Sequence, residues 1–508
     1  MRAENSVKNA TIAMIMNILN IVINLVTRKI FIDSLGTEYL GVYGLFSNIL
    51  TMLSIAELGI GSAIIYSLYK PVAEKDIEKI KSLVYFYKKS YRIIAIIVSV
   101  IGICMIPFLD NIVGKTQIVE SIVLLYVLNL ADTIASYLLT YKRSILYATQ
   151  KTYVINIIHI GYIIVMNILQ TMFLLTTKNY IIYLIIKIIC RIIENIVITA
   201  VANKMYPYLK EKEIKKLDEQ TTKGITKRVK GLIFHKIATF IVPGTDNIIM
   251  SKFFGVATVG LYSNYNMVIQ AVANLLTQAF SSIVATVGNL LIEKNVEKEY
   301  TIYKNMLMIN SWIYCFAAAA IMCLMEPFIS LWVGEQYLLG KEVLIIITIY
   351  FYFQGMRQTS STFKDAAGIF YEDRFVPIIE SIANIIFSII FVNMFGISGI
   401  FLGTIASNFI LFLYSYPIFV FKKLFKRSYM EYIKLNSRYM IISVLILIVT
   451  GLVISYIKFE NLFLELIVRG ILVLIIPNLI QLIIYRKDKE FEYFKNVLKK
   501  LGKKFLRR

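Results

Sequence analysis

IIAIIVSVIGICMIPFL, residues 93–109, holds seventeen residues and no charge between Arg92 and Asp110. At 1.5 Å per residue a helix of that length spans about 26 Å, close to the hydrocarbon thickness of a bilayer, roughly 30 Å. In hydrocarbon every backbone N–H and C=O must be satisfied within its own segment, so such a run predicts a spanning helix.

Runs of the same kind recur along the whole chain. They cover 11–32, 41–65, 93–109, 118–141, 153–175, 180–202, 232–253, 260–290, 305–331, 343–363, 375–395, 398–421, 439–457 and 462–485. The first follows Arg2 and Lys8 without a small-residue cleavage site and reads as an uncleaved helix. The fold class predicted is an all-α polytopic membrane protein with about fourteen transmembrane helices.

The composition agrees. Of 508 residues, 58% are hydrophobic and 17% charged, and the mean hydropathy is +0.70. A soluble fold cannot hide that much apolar side chain, because its surface must be wet. A disordered chain and a disulfide scaffold are excluded on the same numbers.

The net charge of +22 would point to nucleic acid in a soluble protein. Its placement points elsewhere. With the N-terminus inside, 42 of the 54 Lys and Arg fall in inside segments, 7 in outside segments and 5 within helices. This is the positive-inside pattern, with both termini cytoplasmic. No nucleic acid partner is expected.

Outside connections are short, which argues against an extracytoplasmic catalytic domain. Residues 204–231 are polar and basic and read as a cytoplasmic linker. Leu35-Gly36 with Gly41-Val42-Tyr43 is echoed by Phe254-Gly255 with Gly260-Leu261-Tyr262 at an offset of 219 residues. Tyr153-Val154 is echoed by Phe375-Val376 at 222. The expected organisation is an N-lobe over 1–203 with helices one to six and a C-lobe over 232–421 with helices seven to twelve. Helices thirteen and fourteen with a basic cytoplasmic tail fill 422–508. Two six-helix repeats of this sort mark alternating-access transporters.

Intramembrane polar groups are costly and so informative. Asn17, Asn20, Asn24 and Arg28 share one face of the first helix. Lys187, Arg191 and Glu194 share a face of the sixth. His235, Thr239 and Asp246 do so in the seventh, where Pro243-Gly244 is expected to break the helix. Asn266, Gln270, Asn274 and Gln278 step along the eighth. Glu57, Asp132, Arg357 and Glu380 stand in the second, fourth, tenth and eleventh. The alternative for the amide stripes is interhelix glue, and the sequence leaves both readings open. Arg191 with Glu194 can equally be a structural pair, as can Glu465 with Arg469. The four cysteines lie in apolar runs without metal-ligand spacing. With no phosphate-binding loop and no nucleophile elbow, neither a metal, nor a cofactor, nor an enzymatic activity is expected.

The strings Ser34-Leu-Gly-Thr-Glu-Tyr-Leu-Gly-Val-Tyr-Gly-Leu-Phe-Ser-Asn48, Ala56-Glu-Leu-Gly-Ile-Gly-Ser-Ala63 and Tyr69-Lys-Pro71 resemble those of Wzx-type polysaccharide flippases. So do Phe234-His-Lys236, Thr245-Asp-Asn-Ile-Ile249 and Val259-Gly-Leu-Tyr-Ser-Asn-Tyr265. These flippases belong to the MOP superfamily, with the MATE drug exporters and the lipid II flippase. The resemblance implies two six-helix lobes around a polar, cationic cavity in a bacterial cytoplasmic membrane. It implies an undecaprenyl-diphosphate oligosaccharide as substrate, with membrane lipids and other polysaccharide-assembly proteins as partners.

On that reading Arg28, Lys187, Arg191 and Arg357 would hold the diphosphate. Asn17, Asn20, Asn24, Asn266, Gln270, Asn274 and Gln278 would line the cavity for sugar hydroxyls. Glu57, Asp132, Glu194, His235, Pro243, Asp246 and Glu380 would couple ions or gate. The alternatives are a MATE-like cation-coupled multidrug antiporter and, in another class, a membrane-embedded polysaccharide polymerase or acyltransferase.

Overall fold

The polar positions above are set by where each helix starts, bends and stops. A computed structural model describes residues 2–57, 59–211, 214–281, 283–369 and 372–495. All regular secondary structure among the described residues is helical. Contacts divide the chain into two units, 1–260 and 261–508.

The first unit holds α1 (Arg2–Leu35), α2 (Thr37–Leu53), α3 (Ile60–Glu74), α4 (Ile77–Cys104) and α5 (Leu109–Val113). It continues through α6 (Ile122–Tyr137), α7 (Arg143–Ala148), α8 (Thr152–Thr177), α9 (Tyr180–Met205) and α10 (Glu219–Phe254). Helix α1 packs on α8, and α9 packs on both α6 and α8. Helix α10 packs on α2 and α3. The Asn179 side chain accepts the Ile182 N–H at 3.1 Å and so caps α9, fixing the phase of its charged face.

Helix α11 (Val256–Ser281) carries the junction between units. The second unit continues with α12 (Val284–Ile292), α13 (Val296–Trp332), α14 (Lys341–Ala366), α15 (Val376–Phe395) and α16 (Ile397–Ile410). After a π-helical stretch, Leu411–Leu424, come α17 (Tyr429–Ser455) and α18 (Leu462–Tyr485). Helix α13 is the hub, against α14, α17 and α18. Helices α15 and α16 form a tight hairpin because Gly399 and Gly403 lie one turn apart. A Cβ on Gly399 would stand 2.0 Å from the Phe391 carbonyl oxygen, the close backbone approach that small residues permit.

Among the described residues, eight helical segments are long and apolar enough to cross a membrane: 77–113, 122–148, 152–177, 296–332, 376–395, 397–424, 429–455 and 462–485. They match eight of the expected runs. Their outer faces are apolar, as on α4, where Ile93, Ile96 and Val100 are exposed.

Three expectations need correcting. The run 41–65 is not one helix: α2 ends at Leu53, a 3₁₀ turn covers Ser54–Glu57, and Gly59 turns with φ +97°. Only glycine takes that φ freely. The run 118–141 is also interrupted. Leu138 is extended, Leu139 has φ +65°, and a 3₁₀ turn over Thr140–Lys142 leads into α7. Conversely, Pro243-Gly244 does not break its helix, since α10 runs unbroken from Glu219 to Phe254. Proline forfeits one backbone bond. Here its ring is exposed, and Gly244 is held on α2, where an added Cβ would meet Met52 Sδ at 2.1 Å.

Candidate functional site

The break after Leu53 opens onto a cavity. This cavity, of about 370 Å³ in the first unit, is lined by Tyr43, Ser54, Glu57, Asp132, Lys187 and Arg191, among others. Because α2 stops at Leu53, Ser54 and Glu57 reach side chains of other helices. The Tyr137 hydroxyl donates to Ser54 Oγ at 2.6 Å and the Tyr91 hydroxyl to Glu57 Oε1 at 2.6 Å. Irregular backbone at membrane depth is tolerated where it lines a polar cavity.

The charged face of α9 forms one wall. Lys187 Nζ stands 3.1 Å from Asp132 Oδ2 and 5.0 Å above the Tyr43 ring. Arg191 Nε donates to Asp132 Oδ1 at 3.3 Å, and its guanidinium lies 5.2 Å from the Tyr162 ring centroid. One turn on, Glu194 is fully buried. It meets Arg143 Nη2 at 3.2 Å, His159 Nδ1 at 2.8 Å and Arg191 Nη1 at 3.8 Å. Three fixed cations, Arg143, Lys187 and Arg191, thus stand with three carboxylates, Asp132, Glu194 and the cavity's Glu57, so that every charge has a counter-charge nearby. Among the described residues, Arg143 Nε, Glu194 Oε2 and the Tyr162 hydroxyl have no hydrogen-bond partner. The cluster keeps donors and an acceptor in reserve, inside a low-dielectric wall where such groups are expensive to leave unpaired.

Arg28 lies on α1 beside the phenols of Tyr43 and Tyr183, next to this cluster. Arg357 is elsewhere, in the second unit. Its Nη1 donates to Glu380 Oε1 at 3.0 Å, Asn408 Oδ1 at 2.6 Å and Gln354 Oε1 at 3.1 Å. It ties α14 to α15 and α16 with acceptors already in hand.

Other expected site residues are not at the cavity. Asn20 is half-buried and Asn24 exposed on α1. On α11, Asn266 accepts a long bond from Gln270 at 3.4 Å, and Gln270, Asn274 and Gln278 are exposed. Asp246 is buried on α10, one turn beyond the exposed Pro243. The side chains of Asn17 and His235 lie outside the described residues. The Glu465–Arg469 pair forms, at 2.7 Å.

Sequence reasoning missed two members of the cluster. Arg143 was counted with a cytoplasmic loop, since the break at 138–142 that turns it toward α9 has no strong sequence mark. His159 was passed over, although a lone imidazole within the apolar run 153–175 is itself a signal. A second buried pair, Lys364 with Asp373, was also missed. Asp373 Oδ2 takes both Lys364 Nζ and the Ser415 hydroxyl of the π-helical stretch.

The helical architecture, with its long apolar helices, defines a class, the polytopic membrane proteins. Among solved structures, the chain is similar to the lipid II flippase MurJ in an inward closed conformation. The TM-score is 0.67 at 17% identity, covering 93% of this chain and 98% of that one. It is similar to an inward-facing multidrug resistance MATE family transporter of the MOP superfamily, at TM-score 0.60 and 16% identity, covering 76% and 91%. A point mutant of the Vibrio cholerae MATE transporter VcmN gives 0.55 and 15%, covering 80% and 94%. No curated protein sequence matches.

The family model described as polysaccharide biosynthesis protein matches residues 6–286, more than half of the chain. The chain belongs to that family. The family expected from the sequence strings is thereby shown.

Proposed function

We propose that this protein is a flippase that carries an undecaprenyl-diphosphate-linked oligosaccharide from the cytoplasmic to the outer leaflet of a bacterial cytoplasmic membrane, by alternating access between two repeats. The observation that carries the reading is the cavity bearing Lys187 and Arg191, backed by family membership in polysaccharide biosynthesis. A diphosphate cannot cross hydrocarbon unaided, and a low-dielectric site that offers a guanidinium and an ammonium replaces its lost hydration. The Arg191 guanidinium can fork onto phosphate oxygens. Lys187 supplies a point charge, and Arg28 and Arg143 supply the surrounding positive field. Ser47, Thr51, Asn129 and Thr133 on the cavity wall offer hydrogen bonds to sugar hydroxyls.

Asp132 and Glu57 share the same cavity, which favours a cation or proton as the coupling partner. Both carboxylates are within the reach of a ligand entering there. Arg357 is assigned to holding α14, α15 and α16 together, not to the diphosphate.

The test is the Lys187→Ala/Arg191→Ala variant in the native host. Surface polysaccharide should disappear while membrane protein levels stay normal and lipid-linked precursor accumulates inside. Normal polymer at normal protein level would remove the cavity from the transport path. Normal precursor flipping with lost drug resistance would favour the antiporter instead.

A further inference from the structure

Behind Tyr137, which also lines the candidate site, two further cavities of the first unit adjoin and share Lys88 and Tyr141. One, of about 280 Å³, is walled by Leu138, Ile192 and Ile196, side chains that are 49%, 40% and 52% exposed on the outside of the helices. The other, of about 470 Å³, is polar and carries Lys142, Tyr208 and Lys210. The groove is therefore apolar at one end and basic at the other.

Its height in the membrane follows from α4. Beyond Arg92 that helix exposes Ile93, Ile96, Ile97 and Val100. Arg92, on the rim of the apolar cavity, marks where the hydrocarbon band begins. Tyr85, Tyr141 and Tyr208 cluster at this level, where amphipathic rings prefer to sit.

The charges are largely uncompensated. Among the described residues, no carboxylate lies within 4 Å of Lys88, Arg92 or Lys210. Lys88 instead stands 5.5 Å over the Tyr141 ring. Lys81, in the same wall, is already paired with Glu78 at 2.6 Å and Glu211 at 2.8 Å. Lys142 is held by Asn203 and by the Leu209 carbonyl. A soluble anion would use only the basic end, and an uncharged lipid only the apolar one. A neutral zwitterionic headgroup would bring its own ammonium against three lysines and an arginine.

We propose that this groove binds an anionic phospholipid, with its phosphate against Lys88, Arg92 and Lys210 and an acyl chain along Leu138, Ile192 and Ile196. Basic pockets between helices at the interfacial level hold such headgroups. The lipid then braces the break at 138–142 against α9, the helix that presents Lys187 and Arg191 to the cavity. The groove adjoins the candidate site through Tyr137, which lines both cavities, but uses other cations, and it stands whether or not the flippase reading holds. With the lysine-rich loops cytoplasmic, it faces the inner leaflet.

The experiment is native mass spectrometry of the full-length protein with phosphatidylglycerol or phosphatidylcholine of matched acyl chains. The unaltered protein should retain phosphatidylglycerol about 10-fold more strongly, and Lys88→Gln/Arg92→Gln should remove most of that preference, as expected for loss of two phosphate contacts. Equal retention of the two lipids by the unaltered protein would overturn the proposal, independently of how any variant folds. So would unchanged phosphatidylglycerol retention by the double variant. Displacement by inorganic phosphate would reassign the groove to a soluble anion, and displacement by equimolar undecaprenyl diphosphate would reassign it to the substrate path. Either also overturns it.

Discussion

Gly41 and Gly260 pack backbone to backbone. A Cβ on Gly41 would lie 1.7 Å from the Val256 carbonyl oxygen and 3.1 Å from Gly260 N. A Cβ on Gly260 would lie 2.3 Å from the Thr37 carbonyl oxygen and 3.1 Å from Gly41 N. The relation is reciprocal, and these are the two glycines that the internal repeat aligns. Their partners in the repeat, Gly36 and Gly255, both end the preceding helix with positive φ, +90° and +81°. At both places the chain thus turns a helix on one glycine and presents the next helix on a second.

Either Gly41→Ala or Gly260→Ala should therefore destabilise the protein by at least about 3 kcal/mol, the upper end of overpacking costs, since the clash is with backbone and not with a yielding side chain. Gly161, on α8 with open space around it, is the control. Gly161→Ala should be neutral or gain about 0.5–1 kcal/mol of helix propensity. Denaturation midpoints in detergent give the comparison, and equal midpoints for Gly41→Ala and Gly161→Ala would refute the close packing.

Glu194 is the common partner of Arg143, His159 and Arg191. Glu194→Gln removes the one carboxylate that Arg143 and His159 meet, while Arg191 keeps Asp132 at 3.3 Å, and should cost about 3 kcal/mol, the low end for breaking a desolvated pair. Glu465→Gln breaks an i,i+4 pair at 2.7 Å that has backbone acceptors to fall back on, since Arg469 also donates to the Ile457 carbonyl. Membrane-inserted yield should drop sharply for the first and little for the second.

The Lys364–Asp373 pair is buried with side-chain exposures of 8% and 0%. Asp373→Asn strands the ammonium and should cost about 3–5 kcal/mol, while Lys364→Met/Asp373→Leu should recover most of it, because a desolvated pair replaced by apolar side chains is often neutral. A double-mutant cycle on thermal midpoints measures this. Additive losses would show that the two side chains do not depend on each other.

Asp218 caps α10 outside the membrane. It accepts the Thr221 N–H at 2.7 Å and the Thr221 hydroxyl at 2.7 Å, with Lys79 Nζ at 3.3 Å. These hydrogen bonds, then the lysine, pull its carboxyl down to about 2. A depressed carboxylate stabilises the fold above its unfolded value, roughly 3.9, and that contribution fades as pH falls through the folded value. A carbon-13 titration of this carboxyl should show its midpoint near 2, and Thr221→Val should raise it. A midpoint unmoved by Thr221→Val would mean the hydroxyl bond to Asp218 is not formed.

Gln220, exposed at the start of α10, tests orientation. In a background where Cys104 is replaced by Ser, Gln220→Cys should resist a membrane-impermeant maleimide in intact cells and react after permeabilisation. Reaction in intact cells would invert the topology.

Helix content and membrane placement were legible residue by residue. A run such as 93–109 has one low-energy form in hydrocarbon, because backbone hydrogen bonds must close locally. The spacing of Lys187, Arg191 and Glu194 on one face was likewise fixed by helical geometry, whereas the recurring glycine spacing gave no hint that Gly41 and Gly260 meet. What the one-dimensional pattern does not carry is which charge meets which. Asp132 and Lys187 are 55 residues apart in sequence and 3.1 Å apart in space. The turn at Leu139 that brings in Arg143 depends on its neighbours, not on a local proline or glycine. The same holds for Pro243, where packing kept a helix that the local rule would break. The sequence determined which residues bear the cost of burial; only tertiary structure decided which partners offset it, sending Lys187 and Arg191 to a cavity and Arg357 to a closed network.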